Sequence, residues 1–368
     1  MSRYRGAVIG LGWMGLLYDL AQRMGVWHVD DVDRPTPTLD IHRRFHHHRF
    51  HVPREAVPTS YSEALHDRPE VDLIAAAERD PKRLQAFGER YGVDALYTDA
   101  AEMLERERPE IVAVSTNTKG RAELTCCAVE NGARGIVTEK PIAYTLEEAD
   151  RMVQACADAG VPLCTGAIST SHPSFGKAKE LVQSGAIGQL VSMETASNKN
   201  LSQHQNWAYF VGSDPAWAFG VGDEPKRESG SNEFRGQGMM ATVDGEAVFF
   251  RKDAPAVRLT GTAGELLHQD HYGPWRLWQE TDTPAGKRTV EMPWPDPQMQ
   301  QVSGAIYGLA DVIDCMEGRL EEPKNSGRSV ALALEVEIAM KLSAAQGGAR
   351  VELPLADRSL GLEYDWHR

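Results

Sequence analysis

The chain has 368 residues, 42% of them hydrophobic and 25% charged, with a formal net charge of −14. That length exceeds one ordinary core and predicts two domains. The acidic balance excludes a general nucleic-acid binder, which needs clustered Lys and Arg. No apolar run approaches the ~20 residues that span a bilayer.

The first apolar run, Ala7 to Leu11, ends in glycines without a small-residue cleavage site, so it reads as a strand and not as a signal peptide. A second strand is expected at Val71 to Ala77. A helix over Pro81 to Tyr91 follows, with Leu84, Phe87 and Tyr91 at helical spacing and a stop at Gly92. Asp99-x-x-Glu102 reads as a capping box for a helix from Ala100 to Arg106. Then come a strand at Ile111 to Ser115, a helix at Ala122 to Glu130 stopped by Asn131-Gly132, and a strand at Gly135 to Thr138. Thr145-x-x-Glu148 caps a helix running to Ala159, and Val161 to Ala167 is a further strand. Strands and helices alternate throughout, which predicts a doubly wound parallel sheet over residues 1–167.

Beyond residue 168 the rhythm changes. A helix at Pro173 to Ser184 precedes strand-like runs at Leu190 to Thr195, Glu246 to Arg251, Val257 to Thr262, Trp275 to Gln279 and Thr289 to Met292. Strands in succession predict an open, mostly antiparallel sheet, and hence an α+β second domain over 168–368. Helices at Ala305 to Met316 and Val330 to Ala344 close the chain, and residues 220 to 238 read as an exposed loop.

Gly10-Leu11-Gly12-Trp13-Met14-Gly15 stands directly behind the first strand. In that context G-x-G-x-x-G predicts a dinucleotide site. Gly10 permits the tight turn, Gly12 lets the backbone approach a pyrophosphate, and Gly15 lets a helix pack closely on the strand. The free N–H groups that open the helix favour phosphate. Two positions compete for the acid that binds ribose. Asp30 and Asp31 lie at the usual distance of about 20 residues. Glu78 lies further on but ends the better strand, and it is preferred. Its charge favours NAD over NADP, whereas the adjacent Arg79 could pair with a 2′-phosphate.

Glu139-Lys140-Pro141 ends the strand Gly135 to Thr138. Ligands of open parallel sheets bind beyond such carboxyl ends. A lysine placed there can reach the nicotinamide and a substrate hydroxyl, and burial can tune it as an acid or base.

These elements together resemble the Gfo/Idh/MocA oxidoreductase family: the Gly-x-Gly-x-Met-Gly loop, Ala77-Glu78-Arg79-Asp80-Pro81-Lys82-Arg83, Glu139-Lys140-Pro141, Leu181 to Gly188 and Val351-Glu352-Leu353-Pro354. The resemblance implies a Rossmann domain and an α/β domain whose open sheet often forms the interface of a homo-oligomer, a dimer or tetramer. It implies hydride transfer between NAD(P) and a carbon of a sugar, cyclitol or sugar derivative. By the same resemblance Gly10, Gly12, Trp13, Met14 and Gly15 line the pyrophosphate, Glu78 and Arg79 meet the ribose, and Ser115, Thr116 and Asn117 run along the cofactor. Asn117 departs from the family's usual Thr-Pro. Glu139 and Lys140 carry over directly, Lys140 as the catalytic residue.

The substrate helix departs further. Counting back from Gly212-Ser213-Asp214-Pro215 puts Ser202 and Gln205 where the family has a His and an Asp. His204 or His172 is therefore the expected proton relay, with Gln205 and Asn206 facing substrate. An insertion within 16–70 carries His42, His46, His47, His48 and His51 among Arg43, Arg44, Arg49 and Arg54. Its arginines oppose a cation, so no metal is expected, and a lid or an intersubunit arm is one reading of it. Trp275 and Trp278, three apart on a strand, should face opposite ways, for sheet core or interface in preference to sugar stacking. The five cysteines contain no C-x-x-C pair and suit a reduced, cytoplasmic setting. Two other functions remain open, NAD-dependent glycoside cleavage through transient oxidation and a non-catalytic ligand sensor.

Overall fold

The computed structural model describes residues 3–17, 19, 60–166, 168–197, 206–223, 230–270, 273–299 and 305–364. These fall into two compact units. One comprises Met1–Glu139, Arg151–Ala167 and Gln301–Ser326; the other comprises Lys140–Asp150, Ile168–Gln300 and Gly327–Arg368.

The first unit is a six-stranded parallel sheet. Its strands are β1 (Tyr4–Ile9), β2 (Val71–Ala77), β3 (Ala95–Tyr97), β4 (Ile111–Val114), β5 (Gly135–Thr138) and β6 (Leu163–Thr165), in the order β3-β2-β1-β4-β5-β6. This is the doubly wound order whose switch point lies between β1 and β4. Every residue of β4 and β5 is buried, as expected for central strands covered on both faces.

The local signals work as chemistry. Asp80 accepts from the Lys82 amide ahead of the helix Pro81–Tyr91, which stops at Gly92 with φ 67°. Asp99 accepts from Glu102 at the start of Ala100–Glu107. The Thr145–Glu148 capping box closes in both directions before the helix Leu146–Asp158. A helix over Tyr61–Asp67, capped by Ser60, lies within the stretch read as an insertion, which showed no periodicity long enough to reveal it. The helix Ala305–Met316 follows the second sheet in the chain yet packs on β5. A Cβ on Gly135 would stand 2.5 Å from Val312 Cγ1.

The second unit holds a nine-stranded sheet: β7 (Leu190–Ala196), β8 (Pro215–Val221), β9 (Gln237–Thr242), β10 (Ala247–Arg251), β11 (Val257–Gly261), β12 (Gly264–His268), β13 (Trp275–Thr283), β14 (Gly286–Met292) and β15 (Val351–Glu352). The order is β14-β13-β12-β11-β7-β10-β9-β8-β15, antiparallel except where β7 runs parallel to β10. Strands β8, β9, β12 and β15 carry glycines or are too short for the alternation that marked the others. The helix Gly327–Ala345 covers β8 so closely that a Cβ on Gly220 would lie 2.2 Å from Met340 O.

Residues 220 to 238 are not a wholly exposed loop, because Ser231, Glu233 and Phe234 are buried. The Glu337 carboxylate, on a helix and fully buried, accepts from the Phe234 amide and the Tyr364 hydroxyl. Residues 358–362 form a strap over the chain that follows Lys140. Glu147 N–H donates to Arg358 O, Leu146 N–H to Leu360 O, and Leu362 N–H to Tyr144 O. Arg358 adds a fork onto Asp150, at 2.6 and 2.7 Å, and an ion pair with the buried Glu335.

Candidate active site

The glycine loop leaves β1 with Gly10 at φ 86° and bonds back to β2 through Gly10 N–H to Ala77 O. It turns into a short π-helical segment, Trp13–Leu17. The three glycines have separate steric reasons. A Cβ on Gly10 would meet Thr116 N at 3.1 Å. On Gly15 it would stand 2.0 Å from Gly10 O. On Gly12 it would find no atom of the described residues within 4 Å. Gly12 therefore presents bare main chain to open space, which suits a pyrophosphate.

That space is a cleft of about 540 Å³ at the carboxyl edge of the parallel sheet, lined among others by Gly10, Gly12, Glu78, Arg79, Ser115, Thr116 and Asn117. The volume is that of an ordinary small-molecule site. Ser115 Oγ donates to Gly10 O at 2.6 Å and locks the turn against β4. Thr116 Oγ1 is buried without a hydrogen-bond partner among the described residues. A buried hydroxyl in that state is costly unless a ligand or water completes it.

Glu78 does more than face the cleft. Its Oε2 accepts from the Leu11 amide at 2.7 Å, and its Oε1 from the Arg79 and Asp80 amides at 2.8 and 3.1 Å. It therefore clasps the glycine loop to the end of β2. One acceptor site on Oε2 remains for a ribose hydroxyl. Arg83, Lys119, Asp99 and Glu123 also line the cleft, and Arg151 donates to Glu123 and holds its carboxyl below the usual carboxylate range.

The end of β5 is held from two sides by residues that pattern reading missed. Arg121, buried, donates through Nη1 to Glu139 O at 2.6 Å and through Nη2 to Thr116 O, so one guanidinium ties the turn after β4 to the turn after β5. Tyr61 donates to Glu139 Oε1 at 2.8 Å and lies 3.0 Å from Thr138 O. Burial, and next the Glu139 charge, push the Tyr61 phenol well above its usual range. Lys140 follows directly and is partly buried. Trp13 and Met14 are likewise partly buried in the loop.

In the second unit His172 caps the helix Pro173–Gln183. Its Nδ1 accepts from the Ser174 amide at 3.1 Å and lies 2.9 Å from Ser174 Oγ. An Nδ1 that accepts an amide hydrogen assigns the neutral ring's proton to Nε2. The His-Pro-Ser sequence carried this capping signal. Asn206 is buried and donates to Ala256 O at 3.1 Å. Trp275 sits between His268 and Trp294 with centroids at 4.8 and 5.3 Å, and its indole donates to Ser174 Oγ. Trp278 lies on the other face under Arg276. His204, Gln205, Ser202, Asp30, Asp31 and the His/Arg stretch 42–54 lie outside the described residues. Among the described residues, no His/Cys/Asp/Glu group is arranged to hold a metal, and no helix is long and apolar enough to cross a membrane. The five cysteines are free thiols.

Comparison with known proteins agrees with this geometry. Residues 57–167 match the model of an oxidoreductase family with an NAD-binding Rossmann fold. Over 117 residues the chain is 35% identical to a D-apiose dehydrogenase of Paraburkholderia graminis, covering 32% of this chain and 31% of that protein. Over 133 residues it is 30% identical to a myo-inositol 2-dehydrogenase of Thermotoga maritima, covering 36% of this chain and 40% of that one. The aligned part thus spans about a third of these relatives. A crystal structure of aldose-aldose oxidoreductase from Caulobacter crescentus, complexed with glycerol, superposes with a TM-score of 0.66 at 18% identity, over 95% of this chain and 100% of that one. That likeness extends the shared fold through the second sheet.

Proposed function

We propose that this chain, whose residues 57–167 match the NAD-binding Rossmann model of an oxidoreductase family, is as a whole an NAD-dependent dehydrogenase of a sugar, cyclitol or sugar-derived alcohol. The observation that carries this is the glycine loop, closed to a side chain at Gly15 and open at Gly12 onto a cleft that Glu78 clasps.

These residues fit a dinucleotide. Gly10, Gly12 and Gly15 would hold the pyrophosphate, Glu78 the ribose, and the unpartnered Thr116 hydroxyl a polar group along the same path. When bound, NAD supplies the hydride acceptor. Glu78 sets the preference for NAD, because a carboxylate beside ribose hydroxyls repels a 2′-phosphate, although Arg79 and Arg83 in the same cleft temper that preference.

Lys140 holds and polarises the reacting hydroxyl. Arg121 and Tyr61 anchor Glu139, the residue before it, so the backbone at this turn has little freedom. His172 spends its Nδ1 lone pair on a helix cap, so its Nε2 serves as a donor in the neutral state and is poorly suited to take a proton. His204 or Lys140 itself is the better acceptor.

The experiment is a polyol and sugar panel with NAD or NADP, followed at the NADH absorbance band. Turnover with NAD is expected from the wild type. Lys140→Ala should bind cofactor normally and lose turnover. A Lys140→Ala protein with full turnover would remove Lys140 from the mechanism, and a wild type that binds neither dinucleotide would end the reading.

A further inference from the structure

We propose that the C-terminal strap, residues 358–362, is a positioning element for Lys140, acting through the main chain that follows the lysine. The inference rests on the reading of Lys140 as the group that holds the reacting hydroxyl. Strap and lysine both belong to the second unit. The helix Leu146–Asp158 starts shortly after Lys140. A helix leaves the four N–H groups at its start without internal partners. Here the capping box satisfies two of them. The Thr145 amide donates to Glu148 Oε2 at 3.3 Å, and the Glu148 amide to Thr145 Oγ1 at 3.2 Å. The other two go to the strap, Leu146 N–H to Leu360 O at 3.0 Å and Glu147 N–H to Arg358 O at 2.8 Å.

Nearer the lysine the bond runs the other way. Leu362 N–H donates to Tyr144 O at 3.1 Å, and Thr145 pairs with Gly361 in an antiparallel bridge. The approach is so close that a Cβ on Gly361 would stand 2.3 Å from Tyr144 O. Between this grip and Lys140 lie Pro141, Ile142 and Ala143, all buried. Pro141 has its φ locked by the ring. No exposed residue is there to absorb a shift, so a displacement at Tyr144 is passed on to Lys140.

The strap is anchored behind as well. Arg358 forks onto Asp150 and pairs with the buried Glu335. Just past the strap, the Glu363 amide donates to Asn232 Oδ1 at 2.6 Å, and Glu363 O accepts from Asn232 N–H at 2.9 Å. Tyr364, fully buried, donates to Glu337 at 2.9 Å. Stabilising a helix start takes acceptors for its amides. The Leu362 bond to a carbonyl ahead of the helix, and the glycine that admits it, lie outside that cap and on the lysine's side.

Gly361→Ala in the full chain tests the inference. Its methyl meets main chain and should push the strap off Tyr144, while the Tyr364 anchor keeps the fold. The Leu146 and Glu147 amides should then exchange with deuterium about tenfold faster. The value of kcat should fall about tenfold with KM and cofactor affinity unchanged, as when a reacting group is misplaced. Acetic anhydride should label Lys140 at a rate altered severalfold, with the exposed Lys287 as internal reference. Tyr364→Phe loses a bond away from Tyr144, so it should lower Tm and leave kcat and Lys140 labelling unchanged. If Gly361→Ala does not fold, Asp150→Ala removes the fork at a half-exposed site and should give the same split in smaller measure. Faster exchange with unchanged kcat and unchanged Lys140 labelling would reduce the strap to a helix cap and overturn the proposal. Amides that keep their protection overturn it too. A wild type without NAD turnover ends the dehydrogenase reading instead, and the labelling then still judges the strap.

Discussion

Tyr61 reaches from one helix to the far end of β5, where its phenol donates to the Glu139 carboxylate at 2.8 Å. Both groups are buried, so the bond secures a charge immediately before Lys140. Tyr61→Phe should cost about 1.5–3 kcal/mol of stability, the usual worth of a hydrogen bond to a charged group, read by urea unfolding. If the contact also positions the turn, kcat should fall with little change in KM, and a loss of stability without that split would leave Tyr61 a structural role only.

The same phenol sets an alkaline limit. Tyr61 and Tyr91 are both raised from the usual value of 10.0, chiefly by burial and next by Glu139 and Asp19 respectively. Burial also pushes the Cys156 thiol up to about 12. A raised acid keeps its proton in the folded state while the unfolded chain releases it. Their contribution is therefore complete below the unfolded values and is lost as pH rises, from about 9 for Cys156 and about 10 for the two tyrosines. Unfolding free energy measured from pH 8 to 11 should decline, and less steeply in Tyr91→Phe. An unchanged slope in that variant would contradict the assignment.

The glycine loop separates fold from binding. Gly12→Ala puts a methyl into open space, so melting should not move while dinucleotide affinity falls about tenfold, near 1.4 kcal/mol. Gly15→Ala forces a methyl against Gly10 O and should cost roughly 1–3 kcal/mol of stability as well. Calorimetric titration and thermal melting of the two variants should diverge in this way.

Glu78→Gln keeps one oxygen acceptor for the loop amides but removes the charge. It should retain the fold and narrow the NAD over NADP preference severalfold, a shift of about 1 kcal/mol. Glu78→Ala leaves the Leu11, Arg79 and Asp80 amides without their acceptor and should weaken both dinucleotides.

Arg358→Ala would remove the ion pair from the buried Glu335 carboxylate, which also accepts from the Leu355 amide at 2.7 Å. Arg358 is itself partly exposed, so the expected loss is about 2 kcal/mol, below the range for fully buried pairs. Urea unfolding checks it.

Most of the first sheet was legible because its strands and helices announced themselves locally; the short edge strand β3 and the helix Tyr61–Asp67 carried no pattern of their own. Asp80 and Asp99 cap where they stand, and Gly92 stops its helix. At Gly10 and Gly15 a Cβ would crowd neighbouring backbone atoms, a local steric demand that the glycines themselves announce. What escaped was set by distance in the chain. Nothing near Tyr61 or Arg121 says that their polar tips meet Glu139. The exposed-loop reading of 220 to 238 failed because Phe234 is anchored by Glu337, more than a hundred residues later. The packing of Ala305–Met316 on β5 was hidden for the same reason, since a helix's apolar stripe does not name its partner.

The strap at 358–362 has a bearing on how the molecule is made. The amides of Leu146 and Glu147 find their acceptors only after some two hundred further residues have left the ribosome. A chain interrupted at 357 would therefore leave Tyr144, Leu146, Glu147 and Asp150 without these partners.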